Sequence, residues 1–215
     1  MKQLSLKSNL LSLWLNSSYL TANSINTLQK KFKCAQPFPH LELPKFLKEE
    51  IASKLLKELE KEKSYLKESD LFTFFQTNDL ISTENLFLQE FRSFLLSQEF
   101  INYLTKITSL PLKRNSIDSA GTLYLSTHHL LPHDDQLEIR KIAFMFYLTS
   151  LEKKDGGALG LYSSKNHQPF QISKRYYPKF NTFFFFHVSP NSFHEVEEVI
   201  TSTRRITLSG WFHDR

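Results

Sequence analysis

Closely spaced strand patterns fill the second half of the chain, and this feature most constrains the fold. After Pro111, short segments rich in β-branched and aromatic residues are separated by turn signals such as Asp155-Gly156-Gly157 and Pro190-Asn191-Ser192. No helical pattern lies between them, which favours an antiparallel sandwich or barrel over parallel strands joined by helices. The run FFFFHV would promote aggregation at an exposed edge, so we expect it at the centre of the sheet. The predicted strands lie in GTLYLSTHHLL, RKIAFMFYLTS, GALGLYSS, NTFFFFHVSP, FHEVEEVI and RRITLSGWFH.

The first half of the chain is helical in pattern. Apolar residues recur at helical spacing over 43–66 and again over 82–107, whereas 69–80 shows no clear period. No internal repeat or low-complexity linker divides the chain. We therefore predict a single α+β domain over 1–215 with a mainly β core, in which 1–110 is mostly helical support and 111–215 forms the β core.

Composition limits the classes of partner. The formal net charge of the 215 residues is +5, but lysines commonly neighbour glutamates, as on a solvated helix face, so we expect no direct nucleic-acid binding. The single cysteine, Cys34, excludes an intramolecular disulfide and a cysteine-based zinc site, and it fits a reducing compartment. Because no apolar run approaches the ~20 residues of a membrane span, and 10–15 is too short for a clear secretion signal, we expect a cytoplasmic or nuclear protein without a membrane or disulfide partner.

A possible metal site begins in LLPHDDQ, residues 130–136. Side chains two apart in an extended segment point to the same side, so His133 and Asp135 are expected to converge while Asp134 points away. With His194 they supply two imidazoles and one carboxylate, the facial triad of non-heme Fe(II) oxygenases. A hydrolytic zinc site uses the same ligand types, and a surface turn remains the simplest alternative for His133 and Asp135 alone.

The last strand pattern favours iron. In RRITLSGWFH, Arg205 and Thr207 share one face with Ser209 and Trp211, and the opposite face is apolar. If the apolar face packs on the helices, Arg205 points into the barrel, where a buried guanidinium needs an anionic partner. Its planar donors suit a carboxylate, as a 2-oxo dicarboxylic acid would present.

Two tyrosines are candidates for the same cavity. Alternation in RKIAFMFYLTS places Tyr147 on the face opposite Phe144 and Phe146, and Tyr124 precedes His133 by nine residues. A tyrosine in a strand is also a common core residue, so both interpretations stay open. We expect five further histidines not to bind metal; these are His40, His128, His129, His187 and His213.

Along nearly its whole length the sequence resembles the prolyl 3-hydroxylases that modify small-subunit ribosomal protein uS12, the Tpa1/Ofd1-like group. The resemblance implies a double-stranded β-helix of the jelly-roll or cupin type. It also implies Fe(II), 2-oxoglutarate and O2 as reactants, with ascorbate as a supporting reductant, and prolyl hydroxylation of a protein partner, uS12. The matching segments are PFPHLELPKFL, SDLFTFFQTNDL, LLPHDDQLEIRKIAFMFYLTS, GGALGLYSS and VSPNSFHEVEEV with RRITLSGWFH.

The resemblance also assigns roles to individual residues. It implies that His133, Asp135 and His194 bind iron. The 2-oxoglutarate pocket would contain Arg205, Tyr147, Tyr124, Thr207, Leu159 and Leu161. The segment 70–80 is expected to act as a lid over the substrate, and the expected substrate contacts are Asp70, Phe72, Gln76 and Trp211.

One departure from the family pattern is visible. Well-known members continue into a second, non-catalytic β-helix domain, whereas this sequence ends at WFHDR, so we expect it to correspond to the catalytic domain. Two alternatives remain at this stage. One is an oxygenase of the same fold that acts on a different prolyl peptide or a small molecule, and the other is a binding module without catalytic activity.

Overall fold

A computed structural model describes residues 10–137 and 139–214. Within these residues, eleven strands form one sheet in which each recorded strand pairing is antiparallel. The strands are β1 His40–Pro44, β2 Ser64–Ser69, β3 Phe72–Thr77, β4 Ile117–Tyr124, β5 His129–His133, β6 Arg140–Tyr147, β7 Leu159–Lys165, β8 Gln168–Tyr176, β9 Thr182–His187, β10 His194–Val196 and β11 Arg205–His213. Their order is β1-β9-β6-β11-β4-β3-β5-β10-β7-β8, with β2 paired to β3. The predicted mainly β core is therefore found as a curled antiparallel sheet.

The described α-helices all precede β4. They are α1 Leu10–Trp14, α2 Ala22–Cys34, α3 Glu49–Leu59, α4 Leu86–Leu96 and α5 Gln98–Thr108. The prediction of one helix over 43–66 was wrong at both ends, because β1 ends at Pro44 and β2 begins at Ser64. Proline cannot donate to a sheet ladder, and β1 tolerates it because this strand lies at the edge of the sheet.

The predicted helix over 82–107 is divided into α4 and α5. Ser97 has extended backbone angles (φ −62°, ψ 147°), and its hydroxyl accepts a hydrogen bond from the backbone N–H of Phe100. Asn85 caps α4 in the same way, accepting from Phe87 and Leu88. Serine at a helix start satisfies an N–H that otherwise has no partner, but the apolar period runs through Ser97 and conceals the break.

Strand alternation sorts the sheet into two faces, as the sequence predicts. One face packs on the helices and buries alternate residues of β6, β9 and β11. The opposite face encloses a smaller cluster that includes Ala143, Met145 and Tyr147. The FFFF run lies in β9, which pairs with β1 and β6, so it is kept from an exposed edge as expected, although β9 is next to the edge strand and not at the centre of the sheet. The helix-facing sheet residues are Ile142, Phe144, Phe146, Phe183, Phe185, Ile206, Leu208 and Phe212.

Among the described residues, no helix combines the length and the hydropathy that crossing a membrane requires. Residues 1–9, which carry part of the N-terminal segment that we considered as a secretion signal, lie outside the described residues.

Replacing a central ring of this core should strongly destabilise the chain. Phe183 is fully buried, and its ring centroid lies 4.4 Å from that of Phe146 and 4.7 Å from that of Phe46. We expect Phe183→Ala to lower the free energy of unfolding by about 3–5 kcal/mol, measured by urea denaturation, because the cavity is lined by rigid aromatics. Phe170 on edge strand β8 is 61% exposed, so Phe170→Ala should change the same quantity by less than about 0.5 kcal/mol. Equal losses would contradict the assigned packing.

Candidate metal and co-substrate site

The three predicted metal ligands meet where β5 and β10 pair. His133 ends β5, Asp135 follows two residues later, and His194 begins β10 directly opposite His133. The Nε2 atoms of His133 and His194 each lie 3.4 Å from an Asp135 carboxylate oxygen, one on Oδ1 and the other on Oδ2. Candidate ligand atoms of all three residues lie within 4.8 Å of one another. The donor set of two imidazoles and one carboxylate fits a first-row divalent ion.

The backbone conformation of Asp135 differs from the extended one on which strand alternation depends. The strand ends at His133, and Asp135 has a left-handed backbone (φ 61°) rather than the extended one that we assumed. Aspartate tolerates this region better than most residues. The Asp134 side chain accepts from the N–H of Gln136, and the Asp134 carbonyl accepts from the Ser192 hydroxyl. The expected extended geometry was wrong, although the expected pairing of side chains is present.

Backbone carbonyls orient both imidazoles. Nδ1 of His133 lies 2.9 Å from the Leu131 carbonyl oxygen, and Nδ1 of His194 lies 2.9 Å from that of Ser192. A carbonyl only accepts, so each Nδ1 carries a proton, and Nε2 is the ring atom that faces Asp135 and that is free to bind a metal when it carries no proton. This is the arrangement in which a second hydrogen bond fixes the tautomer of a metal-binding histidine.

Electrostatics favour an ionised Asp135. Burial alone would raise the pKa of this carboxyl, but the charge interaction with His194 and the hydrogen bonds from both imidazoles hold it well below its usual range. Burial likewise acts to lower the pKa of His133, yet its hydrogen bond and charge interaction with Asp135 raise it overall. A carboxylate that attracts positive charge from two sides is suited to a cation bound between them.

Arg205 places a positively charged group, suited to binding an anion, in the same pocket. It is 2% exposed, and its Nε donates to the Gly157 carbonyl oxygen at 2.9 Å, while Nη2 is buried without a partner. The guanidinium carbon lies 5.0 Å from the ring centroid of Tyr124 and 5.3 Å from that of Tyr147. Burial raises the pKa of Tyr147 to about 12 despite the opposing charge of Arg205, so this phenol stays neutral. An unsatisfied buried guanidinium N–H is costly, and a ligand carboxylate would relieve that cost.

Both centres open into one pocket, whose empty space is about 560 Å³ when the part open to solvent is included. Thr207, whose hydroxyl bonds that of Thr122, lies on the Arg205 face of β11 as predicted. Leu161 pairs with His194 across the sheet but is not part of the pocket lining, and Tyr147 reaches the site through its ring beside Arg205. The predicted residues that line the pocket are His133, Asp135, His194, Arg205, Tyr124, Thr207, Leu159, Gln76 and Trp211.

Of the four predicted substrate contacts, Gln76 and Trp211 line the pocket, and Asp70 and Phe72 do not. Asp70 is exposed in the turn between β2 and β3, and Phe72 packs its ring on Phe74, so neither lines the pocket. The segment expected to be a lid, 70–80, is largely strand β3, which hydrogen-bonds to β4 and β5 and places Phe74 and Gln76 in the pocket wall. Its movement over a substrate stays a prediction.

Sequence reasoning did not single out Phe74, which lines the pocket, or Arg140, which lies beside Asp135 and Trp211. Phe74 stacks on Tyr124 with ring centroids 5.1 Å apart. The Arg140 guanidinium lies 3.4 Å from the ring centroid of Trp211, and its Nη1 is 3.7 Å from Asp135 Oδ1. Strict alternation along β6 would place Arg140 on the helix-facing side with Ile142. The pairing of β11 with β6 is irregular at this end, however, because its register shifts between Phe212 and His213, and His213 is the partner of Arg140. Such a bulge re-aims a side chain and leaves no clear mark in the sequence.

The other histidines lie outside the metal cluster found among the described residues, as expected. His128 packs on Phe75, and His129 bonds the Thr127 carbonyl. His40 bonds the Phe38 carbonyl and the Tyr176 hydroxyl, and His213 bonds Ser116 and Asp118.

Loss of any one ligand should abolish metal-dependent stabilisation. We expect Mn(II), used as an air-stable probe, to raise the melting temperature of the purified chain, since an ion that binds only the folded state stabilises it by mass action. His133→Ala and His194→Ala should remove the shift, as measured by differential scanning fluorimetry. His129→Ala, on the same strand β5, should keep it. A shift retained by His194→Ala would show that the ion binds elsewhere.

Comparison with known proteins agrees with this geometry. Residues 119–213 match the model of the 2OG-Fe(II) oxygenase superfamily. A prolyl 3-hydroxylase, OGFOD1, of Mus musculus is 39% identical over 181 residues, which are 82% of this chain and 33% of the mouse protein. The prolyl 3-hydroxylase sudestada1 of Drosophila melanogaster is 30% identical over 216 residues, covering 94% of this chain and 40% of the fly protein.

Solved structures show the same fold. A prolyl-4-hydroxylase of Pseudomonas putida superimposes with a TM-score of 0.69 at 14% identity, covering 89% of this chain and 99% of the bacterial one. The chain spans about a third of the length of the curated relatives that it matches first, 33% of the mouse protein. Residues 119–213 therefore match the 2OG-Fe(II) oxygenase superfamily, and most of the chain is similar in sequence to part of two prolyl 3-hydroxylases.

Proposed function

We propose that this chain is an Fe(II)- and 2-oxoglutarate-dependent dioxygenase that hydroxylates a prolyl residue of a protein. The observation that carries the proposal is the placement of the His133, Asp135 and His194 cluster in the same pocket as a buried Arg205 with an unpartnered N–H. We further propose that the curled sheet is a double-stranded β-helix and that 1–215 form one domain, which the helix-to-sheet core and the structural neighbours support.

The residues present fit the implied reactants. His133, Asp135 and His194 would hold Fe(II), and Arg205 would hold the distal carboxylate of 2-oxoglutarate. When bound, the iron supplies oxygen activation coupled to decarboxylation of 2-oxoglutarate to succinate.

The protein's own contribution is to position the reactants and exclude water. Tyr124 and Tyr147 flank the Arg205 guanidinium, and the raised pKa of Tyr147 keeps it a neutral hydrogen-bond donor. Leu159, fully buried, is an apolar part of the pocket wall. Enclosure of this kind strengthens the interaction between a guanidinium and a carboxylate, because little water remains to compete.

Other residues of the pocket wall are suited to a substrate side chain. Phe74 and Trp211 offer apolar surface, Gln76 offers an amide, and Trp211 Nε1 is buried without a partner. Aromatic rings that carry a free N–H can hold a small apolar ring and bond a nearby carbonyl. A prolyl residue within a polypeptide presents both groups.

For the protein substrate we propose uS12, with the reaction being prolyl 3-hydroxylation in the cytoplasm or nucleus. Two relatives that match most of this chain bear the name prolyl 3-hydroxylase. The test is to incubate the purified chain with Fe(II), 2-oxoglutarate, ascorbate and recombinant uS12, and to look by mass spectrometry for one added oxygen on a proline. His133→Ala is the matched inactive control.

The possible results separate the alternatives. Hydroxylated uS12 that is absent with His133→Ala supports the proposal. Succinate formation without modified uS12 would keep the enzyme class and exclude this substrate, which would favour another prolyl peptide or a small molecule. Absence of 2-oxoglutarate turnover with every substrate offered would favour a binding module.

Replacing Arg205 should impair the use of 2-oxoglutarate specifically. A charge-assisted hydrogen bond contributes about 1.5–3 kcal/mol, so Arg205→Gln should raise KM for 2-oxoglutarate by roughly tenfold to a hundredfold, measured by succinate formation. The neighbouring Arg204 pairs with Glu60 at 2.8 Å and has a 51% exposed side chain, so Arg204→Gln should leave KM unchanged. A similar KM in both variants would contradict the role of Arg205.

A further inference from the structure

We propose that Asp155 is a positioning residue that fixes Arg205, together with its carbonyl acceptor, in the geometry that receives the co-substrate. This inference rests on the proposed function, because it concerns binding of a 2-oxo dicarboxylate at Arg205. Asp155 does not line the pocket, so its effect would pass through Arg205.

The acceptor of Arg205 lies in a turn that two glycines make possible. Gly156 and Gly157 have φ values of 71° and 66°, which non-glycine residues adopt only with strain. A Cβ at Gly156 would lie 2.0 Å from the Glu198 carbonyl oxygen, and one at Gly157 would lie 2.8 Å from Leu151 Cδ2. The turn can therefore pack closely on residues 198–200 and direct the Gly157 carbonyl toward Arg205 Nε, at 2.9 Å.

Asp155 joins this turn to the loop that leads into β11. Its Oδ2 accepts from the Glu152 backbone N–H at 2.8 Å, which closes the turn. Its Oδ1 accepts from the Thr201 hydroxyl at 2.9 Å and from the Thr203 hydroxyl at 3.2 Å. Thr203 lies two residues before Arg205, and Asp155 lies two residues before Gly157. One buried carboxylate thus bonds to the segments that carry both partners of the Arg205–Gly157 hydrogen bond.

The surrounding backbone shows that this link is closely packed. The Ile200 N–H donates to the Asp155 carbonyl at 2.9 Å, and the Gly157 N–H donates to that of Glu198 at 3.0 Å. The Thr201 hydroxyl oxygen also accepts from the Thr203 N–H at 3.2 Å. The Glu152 N–H is the main cause of the lowered pKa of Asp155, and the two threonine hydroxyls add to it.

The consequence for binding is geometric. Arg205 Nε donates to the Gly157 carbonyl oxygen, so Nη2 remains available to donate to a carboxylate. The direction in which the guanidinium points therefore depends on the position of the Gly157 carbonyl. The two parallel hydrogen bonds from a planar guanidinium to a carboxylate weaken when the guanidinium is rotated or is displaced by a fraction of an ångström. Without the Asp155 carboxylate, only the backbone hydrogen bonds of residues 198–200 join the two segments. The part of the loop that contains Thr203 can then shift relative to Gly157, and the Arg205 guanidinium would no longer point at the co-substrate carboxylate.

The test measures binding rather than turnover. The chain is loaded with Mn(II) under anaerobic conditions and titrated with 2-oxoglutarate by calorimetry. Asp155→Ala should weaken 2-oxoglutarate binding by about tenfold or more, the range typical of losing a supporting partner at a binding centre. Binding of Mn(II) itself should stay within about twofold, since distant, independent sites respond separately.

Two further variants separate positioning from plain stability. Asp155→Asn should bind 2-oxoglutarate nearly as the wild type does, because the amide oxygen can accept from Glu152 while the amide N–H groups donate to the threonine hydroxyls. The double variant Thr201→Val with Thr203→Val keeps the Glu152 hydrogen bond and removes the link toward Arg205. It should weaken 2-oxoglutarate binding as Asp155→Ala does, and it serves if the alanine variant fails to fold.

Glu58 offers a control outside the pocket. Its carboxylate accepts from Lys61 Nζ at 2.7 Å and from Asn85 Nδ2 at 2.8 Å, and these hydrogen bonds involve neither Gly157 nor Arg205. Glu58→Ala should lower the melting temperature and leave 2-oxoglutarate affinity unchanged. If Glu58→Ala weakens 2-oxoglutarate binding as much as Asp155→Ala, or if Asp155→Ala lowers only the melting temperature, the inference is overturned. A wild-type chain that binds Mn(II) but not 2-oxoglutarate overturns the proposed function and this inference with it.

Discussion

Aromatic packing between the helices and one face of the sheet is the interaction on which the rest of the structure depends. Phe183 lies between Phe46 of the loop before α3 and Phe146 of β6, with ring centroids 4.7 Å and 4.4 Å away. Close-packed rings of this kind hold neighbouring strands at fixed spacing. Because one face of β6, β9 and β11 is satisfied in this way, the opposite face of the same strands can carry polar groups. The pocket is therefore the second side of a sheet whose first side supplies the stability.

The pocket face carries groups that a folded chain buries only at a cost. Arg205 is almost fully buried with an N–H unpaired, and Asp135 is ionised between two imidazoles. Buried charge without full compensation opposes folding, and strain of this sort concentrates at sites that await a ligand. The charges are also separated by sign, with the carboxylate at the imidazoles and the guanidinium deeper between two tyrosines. That separation suits a ligand that must be held at both ends.

Much of the site follows from period-two alternation, because the side-chain direction in a regular strand is fixed by its phase. Alternation alone placed Arg205 and Thr207 in the pocket and Ile206 against the helices. It failed where the backbone leaves the regular strand, at the left-handed Asp135 and at the register shift that turns Arg140 onto Trp211. The helix break at Ser97 and the short strands within 1–110 were missed for a related reason: a local pattern cannot show which tertiary partner will satisfy a backbone N–H.

The candidate metal ligands come from distant parts of the chain, His133 and Asp135 near β5 and His194 at the start of β10. During synthesis the first two emerge well before the third, and they are brought opposite it only when β5 and β10 pair. An unfolded chain consequently offers an ion single, scattered ligands, whereas the paired strands offer the complete set. The ion would thus be acquired by an assembled sheet, and the amount of folded protein in a cell would depend on how much free metal surrounds it.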